Sequence, residues 1–252
     1  MFIPSYSNNG LAPFCFNAFS QEASLCHGVF HRQGGVSSSP WDSLNVGLAV
    51  GDEVEQVVEN RQRIRQSLAF SSLVAARQVH GDRVAVIKKD PGGDIDGVDA
   101  LVTDVVGIGL MIQQADCQAV LLFDPVQQAV GIAHSGWQGS VANIIAKTVA
   151  TMGESFGSDP CEMFAAVSPS LGPCCGEFVN HQRELPDSFR SFQVKKNHFD
   201  FWAISRFQLE ATGIRPERIS VAEVCTVCDT RFFSYRRDKV TGRNASVIGL
   251  KK

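Results

Sequence analysis

The sequence predicts an α+β fold of mixed sheet structure, and not a doubly wound parallel sheet. Two observations carry this. Strand-sized apolar segments outnumber helical ones along the 252 residues. Several neighbouring strand candidates are joined by connections too short for a helical crossover, which antiparallel pairing tolerates and parallel pairing does not. No internal repeat and no low-complexity linker interrupts the chain, so residues 1–252 are read as one domain.

The elements follow in order. Leu25 to His31 reads as a strand closed by a turn at Gly34-Gly35. Asp52 is placed to cap a helix running through Val54, Val57, Val58, Arg61 and Ile64 to about Leu68, because its apolar residues recur at helical spacing. Val79 to Ile87 contains a strand, and Asp90-Pro91-Gly92-Gly93 is turn chemistry. Ala100 to Val102 and Gly109 to Ile112 are short buried strands. Val120 to Phe123, Asp124-Pro125 and Val130 to Ala133 form a hairpin. One helix is expected from Trp137 through Val141, Ile144, Ile145 and Thr148 to Val149. Met163 to Val167 is a strand and Phe199 to Ala211 a helix. Ile219 to Val224, Phe232 to Arg236 and Ala245 to Ile248 close the chain as strands.

Composition bounds the function. Apolar content of 44% and charged content of 19% suit a globular chain able to bury a sizeable core. The net charge is only -3 and no basic stripe with interleaved aromatics appears, which argues against nucleic acid as a partner. Arg231, Arg236, Arg237, Lys239 and Arg243 are interrupted by strand-like residues and suit a local anion site better than a polyanion surface. Met1 to Leu11 lacks a basic region followed by an apolar run, so no secretory leader is expected. The apolar runs are too short and too broken for a membrane span. Eight cysteines without a leader point to reduced thiols and a cytoplasmic location.

Three segments share one character, a strand end carrying a metal-competent side chain beside small or polar residues. They are Gln78-Val79-His80-Gly81, Ala115-Asp116-Cys117-Gln118 and Ala133-His134-Ser135-Gly136-Trp137. Neutral imidazole and thiolate are the donors zinc prefers, and two His with one Cys leave the fourth tetrahedral position open, the pattern of a catalytic site. Copper accepts the same donors. The competing reading makes His80 and His134 hydrogen-bonded core residues and Cys117 a small buried hydrophobe. The hairpin favours the metal, since it sets Cys117 and His134 at one open end. Nothing in the sequence brings His80 to them.

At these residues the chain resembles the YfiH family, also called the laccase-domain or purine nucleoside phosphorylase family. The resemblance runs nearly end to end: Gly34-Gly35-Val36-Ser37, Ser43-Leu44-Asn45-Val46-Gly47, Asn60-Arg61, Gln78-Val79-His80-Gly81, Asp99-Ala100-Leu101-Val102-Thr103, Ala115-Asp116-Cys117, His134-Ser135-Gly136-Trp137, Gly172-Pro173-Cys174-Cys175, Phe232-Phe233-Ser234-Tyr235-Arg236-Arg237-Asp238 and Thr241-Gly242-Arg243. It implies layered mixed sheets with helices outside, similar to the deamidating domain of the cytotoxic necrotizing toxins. It implies one zinc ion on His80, Cys117 and His134, and small-molecule substrates: phosphate and purine nucleosides, with phosphorolysis of adenosine, inosine and methylthioadenosine and deamination of adenosine. It also implies a link to editing of peptidoglycan precursors. One departure from the family is Gln138, which stands where Gly-Trp-Arg-Gly is usual. If the usual Arg holds phosphate, either phosphorolysis is weaker here or another Arg substitutes for it.

Further residues have candidate roles. Arg61 and Arg236 suit phosphate, which guanidinium matches in geometry, although Arg61 equally suits a solvated helix face. Asn45 and Gln78 suit a ribose hydroxyl or base edge, or alternatively a turn. Asp116 suits proton transfer or ligand orientation, or alternatively a strand end. A multicopper laccase needs many imidazoles, commonly as His-X-His, and this chain has six His and no such pair. A second enzyme reading makes Cys117 a nucleophile activated by His134, in a hydrolase or amidase. A third confines the metal to stability. Cys225-Thr226-Val227-Cys228 has no second pair at ribbon spacing and is read as structural, and Cys174-Cys175 as a tight loop near the site. A monomer is expected.

Overall fold

The computed structural model describes residues 2–4, 11–20 and 22–251. The reading of Met1 to Leu11 as free of a leader falls mostly outside them. In chain order the strands are β1 (Phe2–Pro4), β2 (Phe14–Phe16), β3 (Leu25–Phe30), β4 (Ser72–Arg77), β5 (Val84–Val86), β6 (Ile95–Asp96), β7 (Ala100–Thr103) and β8 (Ile108–Gln114). They continue with β9 (Gln118–Asp124), β10 (Ala129–Ser135), β11 (Phe164–Val167), β12 (Gln193–Lys195), β13 (His198–Phe199), β14 (Ile219–Val221) and β15 (Asn244–Leu250). The helices are α1 (Val54–Ser67), α2 (Trp137–Val141), α3 (Ile144–Phe156), α4 (His181–Glu184), α5 (Phe201–Ala211) and α6 (Tyr235–Asp238).

Two sheets dominate, in the orders β1-β2-β3-β15-β8-β4-β6 and β14-β11-β9-β10-β7-β5. Both are mixed: β4 runs parallel to β8, β5 to β7 and β11 to β14, while β9, β10 and β15 pair antiparallel with their neighbours. Side-chain alternation explains how they stack. In β9, Leu121 and Phe123 join Leu110, Ile112 and Ile248 of the other sheet in a core between the sheets. Val120 and Leu122 point the opposite way, onto Ile144, Val149 and Met152 of α3 and Leu209 of α5. On the far face of the other sheet, Met111 and Val247 pack on Ile64 of α1. The order is helix, sheet, sheet, helix, the layered α+β arrangement expected. With both faces covered, β7, β9 and β10 are buried at every residue.

Four local expectations need correction. Glu53, not Asp52, is the N-cap residue of α1, and its side chain makes no cap bond. The Asp52 carboxylate is drawn away by the buried Asn45 amide, which donates to it at 2.8 Å. The helix expected from Trp137 to Val149 is two helices, because Asn143 takes a left-handed conformation (φ 56°) and caps α3 through Ala146 N. Phe232 to Arg236 is not a strand: Phe232 and Phe233 are buried, and Ser234 caps α6 by accepting from Arg237 N. The helix expected from Phe199 is α5 and begins at Phe201, since Asp200 caps it through Ala203 N. No helix among the described residues is long and apolar enough to cross a membrane.

Candidate metal centre

The β9–β10 hairpin places the first two donors. Ser135 pairs with Gln118 and His134 with Ala119, so Cys117, one residue before β9, comes out beside His134. His134 has the same parity along β10 as Val130 and Ile132, which face the core between the sheets. The centre therefore sits where that core ends. His80 arrives on the loop after β4, in a left-handed conformation (φ 59°) that only a strongly held loop sustains in a non-glycine residue.

The group that holds it is Asp99, which is fully buried. Its Oδ2 accepts from Val79 N at 3.1 Å and Gly81 N at 2.7 Å. Its Oδ1 accepts from His80 N at 3.0 Å and meets His134 Nδ1 at 2.8 Å. One carboxylate thus folds the His80 loop and orients the His134 ring, with Nε2 left as the donor to the site. Burial pushes the Asp99 carboxyl up, but the His134 hydrogen bond and the Gly81 and Val79 amides outweigh it and lower the pKa.

The donor atoms of His80, Cys117 and His134 lie within 4.8 Å of one another. The two rings meet edge to face with centroids 4.9 Å apart. Burial pushes the Cys117 thiol up, yet the charge and hydrogen bond of His134 and the hydrogen bond of His80 bring it down to about 6. Burial lowers His134, and Cys117 and Asp99 overcome that and raise it. Gly136 leaves the space: a Cβ there would lie 3.0 Å from Cys117 Sγ and 3.4 Å from His80 Cδ2. A thiol poised to ionise, an imidazole with a fixed tautomer and a residue without a side chain beside both form a donor set suited to a borderline-soft ion.

The three donors open onto a cleft of about 930 Å³, walled by Leu48, Val50, Gln78, Gln113, Tyr235 and Arg243 among others. Arg243 Nη1 donates to the carbonyls of Thr241 and Gly242, which fixes the guanidinium at the wall. Arg61 also lines the cleft, but its Nη1 is ion-paired with Asp94 at 2.8 Å and its Nε donates to Val46 O. Gln78 lines it with both amide atoms engaged on the Gln113 backbone.

Other candidates lie elsewhere. Asn45 is buried, donates to Gly47 O and Asp52, and accepts from Gly47 N and Arg243 N, so its amide builds the loop behind Arg243. Asp116 accepts from Thr226 Oγ1 at 2.7 Å and Arg236 N at 2.6 Å, one through each carboxylate oxygen. Arg236 donates to Glu177 O and does not line the cleft. Gln138 is exposed on α2 and does not line it either. Sequence reasoning gave no site role to Asp99 or Tyr235 and none individually to Arg243. Only position in motif segments marked them.

The family profile described as multi-copper polyphenol oxidoreductase laccase matches residues 26–251. The chain belongs to this laccase-domain family. Within it, the chain is 34% identical to the purine nucleoside phosphorylase YlmD of Geobacillus stearothermophilus over 246 residues, covering 89% of this chain and 90% of the relative. It is 34% identical to the purine nucleoside phosphorylase YfiH of Escherichia coli, covering 87% of this chain and 91% of the relative. The crystal structure of YlmD from Geobacillus stearothermophilus superposes with a TM-score of 0.88 at 31% identity, over the whole of both chains. The matched region of this laccase-domain chain contains all three donors, Asp99 and Arg243.

Proposed function

We propose that this chain is a zinc-dependent purine nucleoside phosphorylase, acting on adenosine, inosine and methylthioadenosine and also deaminating adenosine, with residues 1–252 working as one domain. The observation that carries the reading is the convergence of three donors, two imidazoles and one thiol, on the wall of a large cleft. The names of the relatives support the reaction class. His80, Cys117 and His134 would hold the ion, and zinc there supplies Lewis acidity toward water or a phosphate oxygen. Arg243 binds the phosphate by its guanidinium. Tyr235, on the cleft wall, offers a stacking face for the purine. Asp99 keeps His134 in one tautomer through the cycle. In phosphorolysis a phosphate oxygen bonds the sugar carbon as its bond to the purine nitrogen breaks, and the purine leaves with the electron pair and takes up a proton. A multicopper oxidase fits poorly, because His80 and His134 are the only imidazoles among the described residues that share a donor group.

The test follows base release from adenosine, inosine and methylthioadenosine with and without phosphate, before and after chelation. Phosphate-dependent release that is lost on stripping and restored by zinc is expected. Full turnover in metal-free protein, or no release of any purine, would sink the proposal. Arg243→Ala should raise the KM for phosphate about 10- to 100-fold, the worth of one charge-assisted contact, with metal content unchanged. An unchanged phosphate KM removes Arg243 from the anion site.

A second reading has its own support. Cys117 beside His134, itself bonded to Asp99, is the nucleophile–base–orienting arrangement of a cysteine hydrolase, as editing of peptidoglycan precursors would need.

A further inference from the structure

We propose that Cys174, Cys175, Cys225 and Cys228 form a second metal site, a closed tetrathiolate that binds one zinc-class ion and fastens two loops together. The four sulfur atoms all lie within 4.8 Å of one another. Cys228 Sγ is 3.7 Å from Cys174 Sγ and 3.6 Å from Cys175 Sγ. A tetrahedral ion with metal–sulfur bonds of about 2.3 Å sets its sulfurs roughly 3.8 Å apart, so these separations suit a shared ion. A disulfide needs its sulfurs about 2.0 Å apart and would satisfy two of the four. All four cysteines are free.

The topology explains how a Cys-Cys pair and a Cys-X-X-Cys pair some fifty residues apart come to one point. Strands β11 and β14 are parallel neighbours, so the loops that follow them leave the sheet side by side. Ser170 N donates to Val224 O and Thr226 N to Ser170 O, which continues the pairing past the strand ends up to the cysteines. The Gly172 amide donates to Cys225 Sγ at 3.3 Å, the kind of N–H···S contact that stabilises a thiolate ligand. Four thiolates around a divalent ion carry two net negative charges. Lys195, on the Cys174 carbonyl, offsets part of that charge, while Arg237, paired with Asp238, donates to the carbonyls of Thr226 and Val227 and braces the Cys-X-X-Cys turn.

Four protein ligands make this site structural, in contrast to the three-donor centre. It also backs that centre. Thr226, between Cys225 and Cys228, donates its hydroxyl to Asp116, the residue before Cys117.

The experiment uses the Cys117→Ala chain, which leaves the four cysteines untouched and removes the only thiol of the first centre. It is reduced, stripped of metal and titrated anaerobically with Co2+ alone. One equivalent bound with a sulfur-to-cobalt charge-transfer band and intense tetrahedral ligand-field bands is expected, bleached by one equivalent of zinc. Adding Cys225→Ser and Cys228→Ser together should abolish the bands. A spectrum with no thiolate charge transfer, although the thiols titrate as free, overturns the proposal. So do bands that survive the double substitution. Neither result depends on nucleoside turnover, so this site and the proposed enzyme activity stand or fall separately.

Discussion

Asp99→Asn should weaken zinc binding about 100-fold and lower the melting temperature by about 10 °C. The carboxylate receives the amides of Val79, His80 and Gly81 and the His134 ring, and it is buried. An asparagine keeps one acceptor oxygen and gains an NH2. Turned one way, that NH2 faces the amides of Val79 and Gly81. Turned the other, it faces the His80 amide and His134 Nδ1. Both orientations set donor against donor, and each buried group left unsatisfied costs about 1–3 kcal/mol. Two or three such groups amount to several kcal/mol, at roughly 2–4 °C each for a chain of this size. Changing the partner of a single metal-bound histidine costs about 10- to 100-fold in affinity, and Asp99 supports two donors at once. Competition against a chelator of known affinity and a thermal melt of the stripped protein check the two effects separately. A metal affinity within about threefold of wild type would show that the His80 loop is held by something else.

Asp99 also marks where sequence reasoning stopped. Alternation and turn chemistry revealed the β9–β10 hairpin, and its register alone made Cys117 and His134 neighbours. Helical spacing revealed α1 and most of α5. These signals are local. Asp99 precedes a buried strand and has no periodicity to betray it; its partners Val79 to Gly81 and His134 are 18 to 35 residues away. Arg243 and Arg236 are the same residue type in the same basic stretch. One lines the cleft and the other bonds Glu177 O, a difference that residue type and local pattern do not mark. Asn143 broke a helix whose apolar spacing continues through it, because a capping side chain and a left-handed turn outweigh periodicity. The four clustered cysteines come together only because β14 lies parallel to β11, a pairing between segments some fifty residues apart.

The two readings of the centre divide on Cys117, and its reactivity separates them. In metal-free protein the thiol is brought down to about 6 by His134 and His80 against the upward push of burial, where an ordinary cysteine titrates near 9.0. The thiolate is the form that iodoacetamide attacks. Alkylation at Cys117, resolved by mass spectrometry from Cys161, Cys174, Cys175 and Cys228, should therefore rise as pH climbs through about 6 and level off by about 7.5. It should fall away below about 6, where the thiol is restored. Adding two equivalents of zinc, enough for both cysteine-bearing centres, should strongly suppress the Cys117 reaction at pH 7, because the ion draws electron density from the sulfur and makes it a poorer nucleophile. Under the phosphorylase reading, alkylated protein no longer binds zinc at the three-donor centre and releases no purine, and Cys117→Ala loses turnover by about 10³-fold or more. Under the hydrolase reading, stripped protein cleaves an amide, alkylation stops it, and zinc inhibits because it occupies the nucleophile. Zinc is thus required in one case and poisonous in the other, so the sign of its effect on turnover decides between two chemistries that share the same three side chains.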